Sequence, residues 1–216
     1  LEYGVGNASI LVLLQVAGAL QCSLAELLGD VTTASPDWLL IRELLEHRAD
    51  ADLRRALSLA IDRERLTTAV TGVGEAPAYG WVPRGVADYT PQQFDYAHTP
   101  YAERLAEARR LYAQAGYSAA RPLQVELRYN SGDQHNRLAV AVAAMWKEAL
   151  GVETTLYAEE FRALLQSIQA RKDTQVFRSS WVGDFNDAYT FAQLLQTDFG
   201  INLSGYSNPT YDALLD

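Results

Sequence analysis

The stretch Leu-Gln-Val-Glu-Leu-Arg-Tyr at residues 123–129 alternates apolar and polar side chains. Successive side chains of a strand point to opposite faces, so this alternation predicts a strand with one buried face. Outward from this stretch, helical and extended patterns follow one another along the chain. The predicted helices are 101–115, 137–150, 159–171 and 189–195, and the other predicted strands are 152–157 and 175–181. Strands that alternate with helices indicate an α/β lobe.

The residues before this lobe have helical patterns only. Ser9 and Ser23 are suitable N-caps for two short helices, and Ser35-Pro36-Asp37 is typical of the start of a third. The buried stripe of that third helix would consist of Trp38, Ile41, Leu44 and Leu45. We therefore predict a short all-α segment over residues 1–48, followed by an incomplete α/β lobe over residues 49–216.

Two further features are predicted inside the lobe. A helix is expected to begin at Asp50 or Asp52. The Gly- and Pro-rich residues 72–100 are expected to form a long irregular connection. Such a connection is uncommon in a compact domain and usually has a function.

Three side chains of different chemistry follow one another where the strand predicted at 175–181 ends. Arg178, Trp181 and Asp184 bring a cation, a large aromatic ring and an anion to a turn that contains Gly and Asn. Binding groups concentrate on loops that a rigid scaffold holds, so this spacing suits recognition of a zwitterion. The same spacing also fits a core tryptophan beside a solvated turn, and the residues alone do not decide between the two interpretations.

Several other segments carry motifs in a fixed order. They are Arg-x-Ala-Leu-x-x-Ala-Ile-Asp-Arg at 54–63, Trp-Val-Pro-Arg-Gly at 81–85, the helix that stops at Gly116-Tyr117, Trp-Lys-Glu-Ala-Leu-Gly-Val at 146–152 and Gly-Tyr-Ser-Asn-Pro at 205–209. With residues 175–187 added, the chain from about residue 50 onward resembles the second lobe of the oligopeptide- and dipeptide-binding proteins of ABC importers, solute-binding protein family 5. This resemblance implies a periplasmic-binding-protein-like α/β lobe of type II, in the peptide-binding cluster.

The resemblance also assigns roles to individual residues. It implies that Asp184 anchors the α-ammonium group of a peptide and that Trp181 forms a wall of the ligand cavity. Arg178 stands where some members use an arginine for the peptide carboxylate, and the same cavity would be lined by Tyr129, Asn130 and His135. Gln169 stands where some members carry a further arginine, so recognition of a free C-terminus is not predicted.

The first 48 residues carry a second resemblance. The segment Leu-Glu-Tyr-Gly-Val-Gly-Asn-Ala-Ser-Ile at 1–10 and the helical patterns after it resemble the C-terminal part of a lambda-repressor-type helix-turn-helix domain. The alternative of two amphipathic helices without that relationship stays open. The chain has a net charge of −9, whereas phosphate binding requires clustered Lys and Arg. We therefore expect no nucleic-acid binding by this chain alone.

Other kinds of chemistry are not predicted. The single cysteine excludes an intrachain disulfide and a cysteine-based metal site, and the three histidines are not spaced as metal ligands. Neither a metal nor another cofactor is expected. The sequence contains no G-x-S-x-G elbow, no Walker glycine loop and no H-E-x-x-H motif, so it is not predicted to be an enzyme. No apolar run is long enough to span a bilayer, and membrane insertion is not expected.

The family resemblance implies a short peptide as ligand, the membrane subunits of an ABC transporter as partners and a periplasmic or extracytoplasmic location, although no signal peptide is recognisable. The chain starts without Met and stops at Asp216 inside a predicted helix. We therefore expect a fragment of a solute-binding protein that binds peptides weakly by itself. Two alternatives stay open: a ligand-sensing transcriptional regulator, and a chimeric reading frame joined near residues 48–52.

Overall fold

A computed structural model describes residues 37–41, 50–72, 74–170 and 174–215 of the chain. Within this described part, the strands are β1 (Asp37–Ile41), β2 (Gln124–Asn130), β3 (Glu153–Glu159) and β4 (Val176–Ser180). They form a single sheet in the order β1-β4-β2-β3. Strand β2 runs parallel to β3 and to β4, and β1 runs antiparallel to β4.

Helices lie between the strands and follow the last one. They are α1 (Asp50–Leu59), α2 (Arg63–Arg65), α3 (Tyr101–Gln114), α4 (Asp133–Leu150), α5 (Phe161–Ala170), α6 (Tyr189–Ala192) and α7 (Pro209–Leu215). Helix α2 continues into a π-helical turn over Leu66–Thr71, and α6 continues into a 3₁₀ turn over Gln193–Leu195. Helix α4 connects β2 to β3 and α5 connects β3 to β4, which confirms the predicted α/β alternation. Residues 74–100 form no regular element, as predicted.

The apolar pattern of β2 is buried as the sequence predicts. Val125, Leu127 and Tyr129 are buried, and the side chains between them are more exposed. Helix α4 is fixed against α1 by Trp146, a fully buried residue whose indole Nε1 donates to the Leu57 carbonyl oxygen at 2.9 Å. Indole rings combine a large apolar surface with one polar atom that needs a partner when it is buried.

The predicted third helix is wrong over Asp37–Ile41, because these residues form β1. Their backbone pairs with β4, with Leu39 opposite Arg178. A short apolar run fits a strand as well as a helix, so the pairing partner decides its structure. Strand β1 lies within residues 1–48, which we predicted to be an all-α segment, but it is the edge strand of the lobe's sheet. The predicted domain boundary at residue 48 stays a prediction. The rest of the helix-turn-helix resemblance falls outside the described residues.

Two helix starts also differ from the prediction. Helix α5 begins at Phe161 instead of Glu159, and Phe161 is 56% exposed. Its buried stripe starts one turn later, at Leu164 and Ile168. Helix α4 begins at Asp133, four residues before the predicted start at Arg137, so His135 lies in its first turn.

The described residues belong to two compact units. The sheet unit comprises the described residues of 32–79 and 96–180, and the loop unit comprises 80–95 and 181–215. In the loop unit, the indole Nε1 of Trp81 donates to the Phe191 carbonyl oxygen at 2.7 Å, and the hydroxyl of Tyr211 donates to the Ala192 carbonyl oxygen at 2.6 Å. These bonds tie residues 80–95 and α7 to α6.

Two buried arginines form the polar centre of the sheet unit. We call Arg63, Arg104, Glu64, Tyr79 and Tyr96 the arginine cluster. The Arg63 guanidinium is fully buried, donates to the carbonyl and hydroxyl oxygens of Ser58 at 3.0 Å each, and lies over the rings of Tyr79 and Tyr96. Arg104 is also buried, donates to Glu64 Oε2 at 3.1 Å and lies over the Tyr79 ring. Arg63, the last arginine of the motif at 54–63, is therefore held inside the sheet unit by hydrogen bonds and ring contacts.

The arginine cluster makes stability depend on alkaline pH. Burial, and then the hydrogen bond to Glu64, raise the pKa of Tyr79 to about 12. An unfolded tyrosine loses its proton near pH 10. From about pH 10 upward the unfolded chain therefore releases a proton that the folded chain keeps, so the free energy of unfolding falls until about pH 12.

Replacing Tyr79 by Phe is expected to make this fall shallower, because the Phe side chain has no proton to lose. Burial raises the pKa of Tyr211 as well, so part of the fall remains in the variant. Urea unfolding measured at intervals from neutral to strongly alkaline pH tests the expectation. The two proteins should give parallel curves around neutral pH, and equal slopes above about pH 10 would contradict the assignment.

Candidate functional site

In the loop unit, the residues after β4 are organised by the buried hydroxyl of Thr190. Its Oγ1 accepts a hydrogen bond from the backbone N–H of Asp184 at 3.2 Å and another from the indole Nε1 of Trp181 at 3.3 Å. Thr190 is fully buried, whereas Trp181 is half-buried and Asp184 is exposed. The predicted pair Trp181 and Asp184 is therefore brought together by a third residue that the sequence argument did not single out.

The acidic and amide side chains of this loop have different uses. Asp187 Oδ1 accepts from the Tyr189 backbone N–H at 2.7 Å, which is an Asx turn before α6. Asn186 Oδ1 accepts from the Ala87 backbone N–H at 2.9 Å. By contrast, among the described residues none donates a hydrogen bond to the Asp184 carboxylate, whereas the Asp184 backbone N–H donates to Thr190. The Asp184 side chain is exposed to solvent.

Apolar side chains flank this carboxylate along the chain. Val182 is 86% exposed and Phe185 is 50% exposed. Both residues stand in the loop after the predicted strand, but exposure is a tertiary property and was not visible in the pattern.

In the sheet unit, two of the predicted residues, Arg178 of β4 and Asn130 at the end of β2, are in contact. Arg178 is 8% exposed, and its Nη1 donates to Asn130 Oδ1 at 2.7 Å. Tyr129 is buried, and His135 is half-buried in the first turn of α4 next to Gly132. Arg178 and Asn130 are therefore partners of each other. Tyr129 faces the core of the sheet unit.

Metal and membrane chemistry find no support in the described part of the chain. No group of three or more His, Cys, Asp or Glu side chains among those residues has the arrangement of a metal site. Among the helices described, none combines the length and the apolar character needed to cross a bilayer.

The mixed sheet, parallel except for β1, and its connecting helices define the fold class of the protein, an α/β lobe. Residues 39–202 match the family model described as bacterial extracellular solute-binding proteins, family 5, middle. The chain belongs to this family. The match includes Leu39–Ile41 of β1, which extends the family resemblance upstream of the predicted start near residue 50.

Curated relatives support the same family. The chain is 39% identical over 167 residues to the periplasmic murein peptide-binding protein MppA of Escherichia coli, which covers 77% of this chain and 31% of MppA. It is 38% identical over 167 residues, with the same coverage, to the probable deoxycholate-binding periplasmic protein YgiS of Escherichia coli. The chain thus spans about a third of the length of these relatives.

Among solved structures, the complex of Haemophilus influenzae OppA with the peptide RPPGFSPFR is similar to this chain. The TM-score is 0.77 at 30% identity, and the similarity covers 98% of this chain and 40% of OppA. These similarities confirm the predicted periplasmic-binding-protein-like lobe of the peptide-binding cluster.

Proposed function

We propose that this chain is part of the solute-binding protein of an ABC-type importer and that it anchors the amino terminus of a short peptide. Family membership supports a binding role without catalysis. The observation that carries the proposal is the Asp184 carboxylate, which is exposed and accepts no hydrogen bond from the described residues. Because the chain spans 31% of MppA, the activity, ligand and partners of the whole protein belong to the proposal.

The chemistry of Asp184 suits an ammonium group. An ammonium group has three N–H donors and a carboxylate has only acceptors. A hydrogen bond between them is charge-assisted and roughly twice as strong as a neutral one. The half-buried ring of Trp181 supplies a flat apolar surface beside this anchor, and such a surface accepts side chains of different shapes.

The sheet-unit residues have different proposed roles. Asn130 and His135 are half-buried and keep surface for contact with a ligand. Arg178 and Tyr129 are buried. We propose that Arg178 orients the Asn130 side chain through its 2.7 Å hydrogen bond, instead of binding a peptide carboxylate directly.

The proposed location is periplasmic or extracytoplasmic, as in MppA and OppA, and the proposed partners are the membrane subunits of an ABC transporter. This location and these partners follow from the family and from the names of the relatives, so they depend on the same proposal.

A bile acid is a second candidate ligand, because the chain is 38% identical to YgiS over 167 residues. Deoxycholate carries a carboxylate and no ammonium group. The exposed Asp184 carboxylate would repel that charge, whereas it would attract the amino terminus of a peptide. The charge of the candidate site therefore favours the peptide.

Calorimetry with the whole protein that carries this sequence distinguishes the two ligands. A tripeptide with a free amino terminus is expected to bind at least about tenfold more tightly than the same tripeptide acetylated at its N-terminus, because acetylation removes the charge-assisted bond. Deoxycholate is expected to bind more weakly than the free tripeptide. Binding of deoxycholate without binding of the tripeptide would overturn the proposal.

A further inference from the structure

We propose that Thr190 is the positioning residue of the candidate site: its hydroxyl group holds the ammonium anchor and the aromatic wall in one arrangement. This inference rests on the proposed function. Thr190 Oγ1 accepts from the Asp184 backbone N–H at 3.2 Å and from the Trp181 indole at 3.3 Å. One oxygen atom is thus shared by the two residues that would contact the ligand.

The position of Thr190 is itself fixed from several sides. Its backbone N–H donates to the Asp187 carbonyl oxygen at 3.3 Å, and its carbonyl oxygen accepts from Gln193 Nε2 at 3.4 Å. Thr190 lies in α6, and the side chain is fully buried. A hydroxyl held by a helix is a rigid reference point for a loop, and binding groups need this kind of support to keep their geometry.

Gly183 provides independent evidence that the loop is closely packed on Thr190. A Cβ atom at Gly183 would lie 3.0 Å from Thr190 Cγ2 and 3.2 Å from Phe191 Cζ. Contacts this short require the neighbouring atoms to move by a few tenths of an ångström. The absence of a side chain at Gly183 therefore allows the loop to approach the Thr190 hydroxyl.

The test compares Thr190→Val, which removes the hydroxyl and keeps the shape, with Thr190→Ser, which keeps the hydroxyl. The first measurement needs no ligand: the NMR signal of the Trp181 indole N–H reports its hydrogen bond. We expect Thr190→Val to shift this signal upfield and to speed its exchange with solvent, and Thr190→Ser to restore both. An unchanged signal in Thr190→Val would overturn the proposal.

The second measurement uses the whole protein that carries this sequence and two forms of one tripeptide, with a free and with an acetylated N-terminus. Thr190→Val is expected to reduce the preference for the free form by about tenfold, because Asp184 is no longer held in place. A purely structural role would lower the affinity for both forms equally and leave the preference unchanged. Thr190→Ser should recover the preference.

Two further variants keep the proposal testable if Thr190→Val folds poorly. Gly183→Ala retains the hydroxyl but displaces the loop, so it is expected to reduce the preference as well. Thr67→Val removes a buried hydroxyl of the sheet unit and should leave the preference unchanged. A wild-type protein that binds neither tripeptide would overturn the proposed function and this role with it, whereas a normal preference in both Thr190→Val and Gly183→Ala would overturn the positioning role alone.

Discussion

Replacing Arg63 by Met is expected to lower the free energy of unfolding by about 3 kcal/mol. The Arg63 guanidinium donates to the carbonyl oxygen and to the hydroxyl of Ser58, both at 3.0 Å, inside the core of the sheet unit. Met fills much of the same volume but donates no hydrogen bond. The carbonyl and hydroxyl oxygens of Ser58 would stay buried, and each would lose the hydrogen bond that Arg63 donates. An unsatisfied buried polar group costs about 1–3 kcal/mol. Urea unfolding followed by circular dichroism measures the change.

Two control variants separate geometry from charge. Arg63→Lys keeps the charge, but one ammonium group does not reproduce the planar fork that reaches both Ser58 and Tyr96, so most of the loss is expected to remain. Arg110→Met breaks an exposed pair with Glu107 and should change stability by no more than about 0.5 kcal/mol. A loss of less than about 1 kcal/mol in Arg63→Met would contradict the structural role of the arginine cluster.

Arg63 also contacts two tyrosines, Tyr79 and Tyr96, which flank the segment 80–95. The guanidinium carbon lies 5.2 Å from the ring centre of Tyr79 and 5.6 Å from that of Tyr96, and the two ring centres are 6.2 Å apart. The chain leaves the sheet unit after Tyr79 and re-enters it at Tyr96. Arg63 thus holds the two ends of the 80–95 segment together, and in Arg63→Met these ends should show faster amide exchange.

Replacing Asp184 by Asn is expected to weaken the binding of a peptide with a free amino terminus by about 10- to 100-fold. Asn keeps the shape of the side chain and one acceptor oxygen but lacks the negative charge that attracts an ammonium group. The backbone N–H of residue 184 still reaches the Thr190 hydroxyl, so the loop should keep its arrangement. Calorimetry with the whole protein, at low and at high salt, measures the loss and its dependence on ionic strength.

Asp187→Asn is the matched control for this variant. It makes the same chemical change three residues later, and Asn also supplies the side-chain oxygen that accepts from the Tyr189 N–H. We expect its peptide affinity to stay close to that of the wild-type protein. If Asp184→Asn weakens the N-acetylated peptide as much as the free peptide, or if Asp187→Asn causes an equal loss, Asp184 is not the ammonium anchor.

The family and most regular elements were accessible from the residues alone. Strand β2 was predicted because Val125, Leu127 and Tyr129 alternate with polar residues, and these three side chains are buried. The family was predicted from several motifs in a fixed order, and the family model matches residues 39–202. The alternation in β2 is a local signal, because the periodicity of side chains along one strand shows which face is buried.

The arrangement of the candidate site required the tertiary structure. The bond between Arg178 and Asn130 joins residues that are 48 positions apart, and the shared acceptor Thr190 follows Asp184 by six positions on another element. The strand state of Asp37–Ile41 likewise depended on its partner β4. Hydrogen-bond partners of buried polar groups leave no periodic pattern in a sequence, because any donor of suitable geometry satisfies an acceptor.

The sequence by itself determined the alternation of strands and helices, the family and the chemical types placed in and after β4: a cation in the strand, then an aromatic ring and an anion. Only the tertiary structure decided how they are used. Arg178 is buried on Asn130, Trp181 is tied through its indole to Thr190, and the carboxylate of Asp184 is exposed. The physical reason is that burial and pairing depend on which atoms the folded chain brings within about 3 Å of one another, and local patterns do not encode those distances.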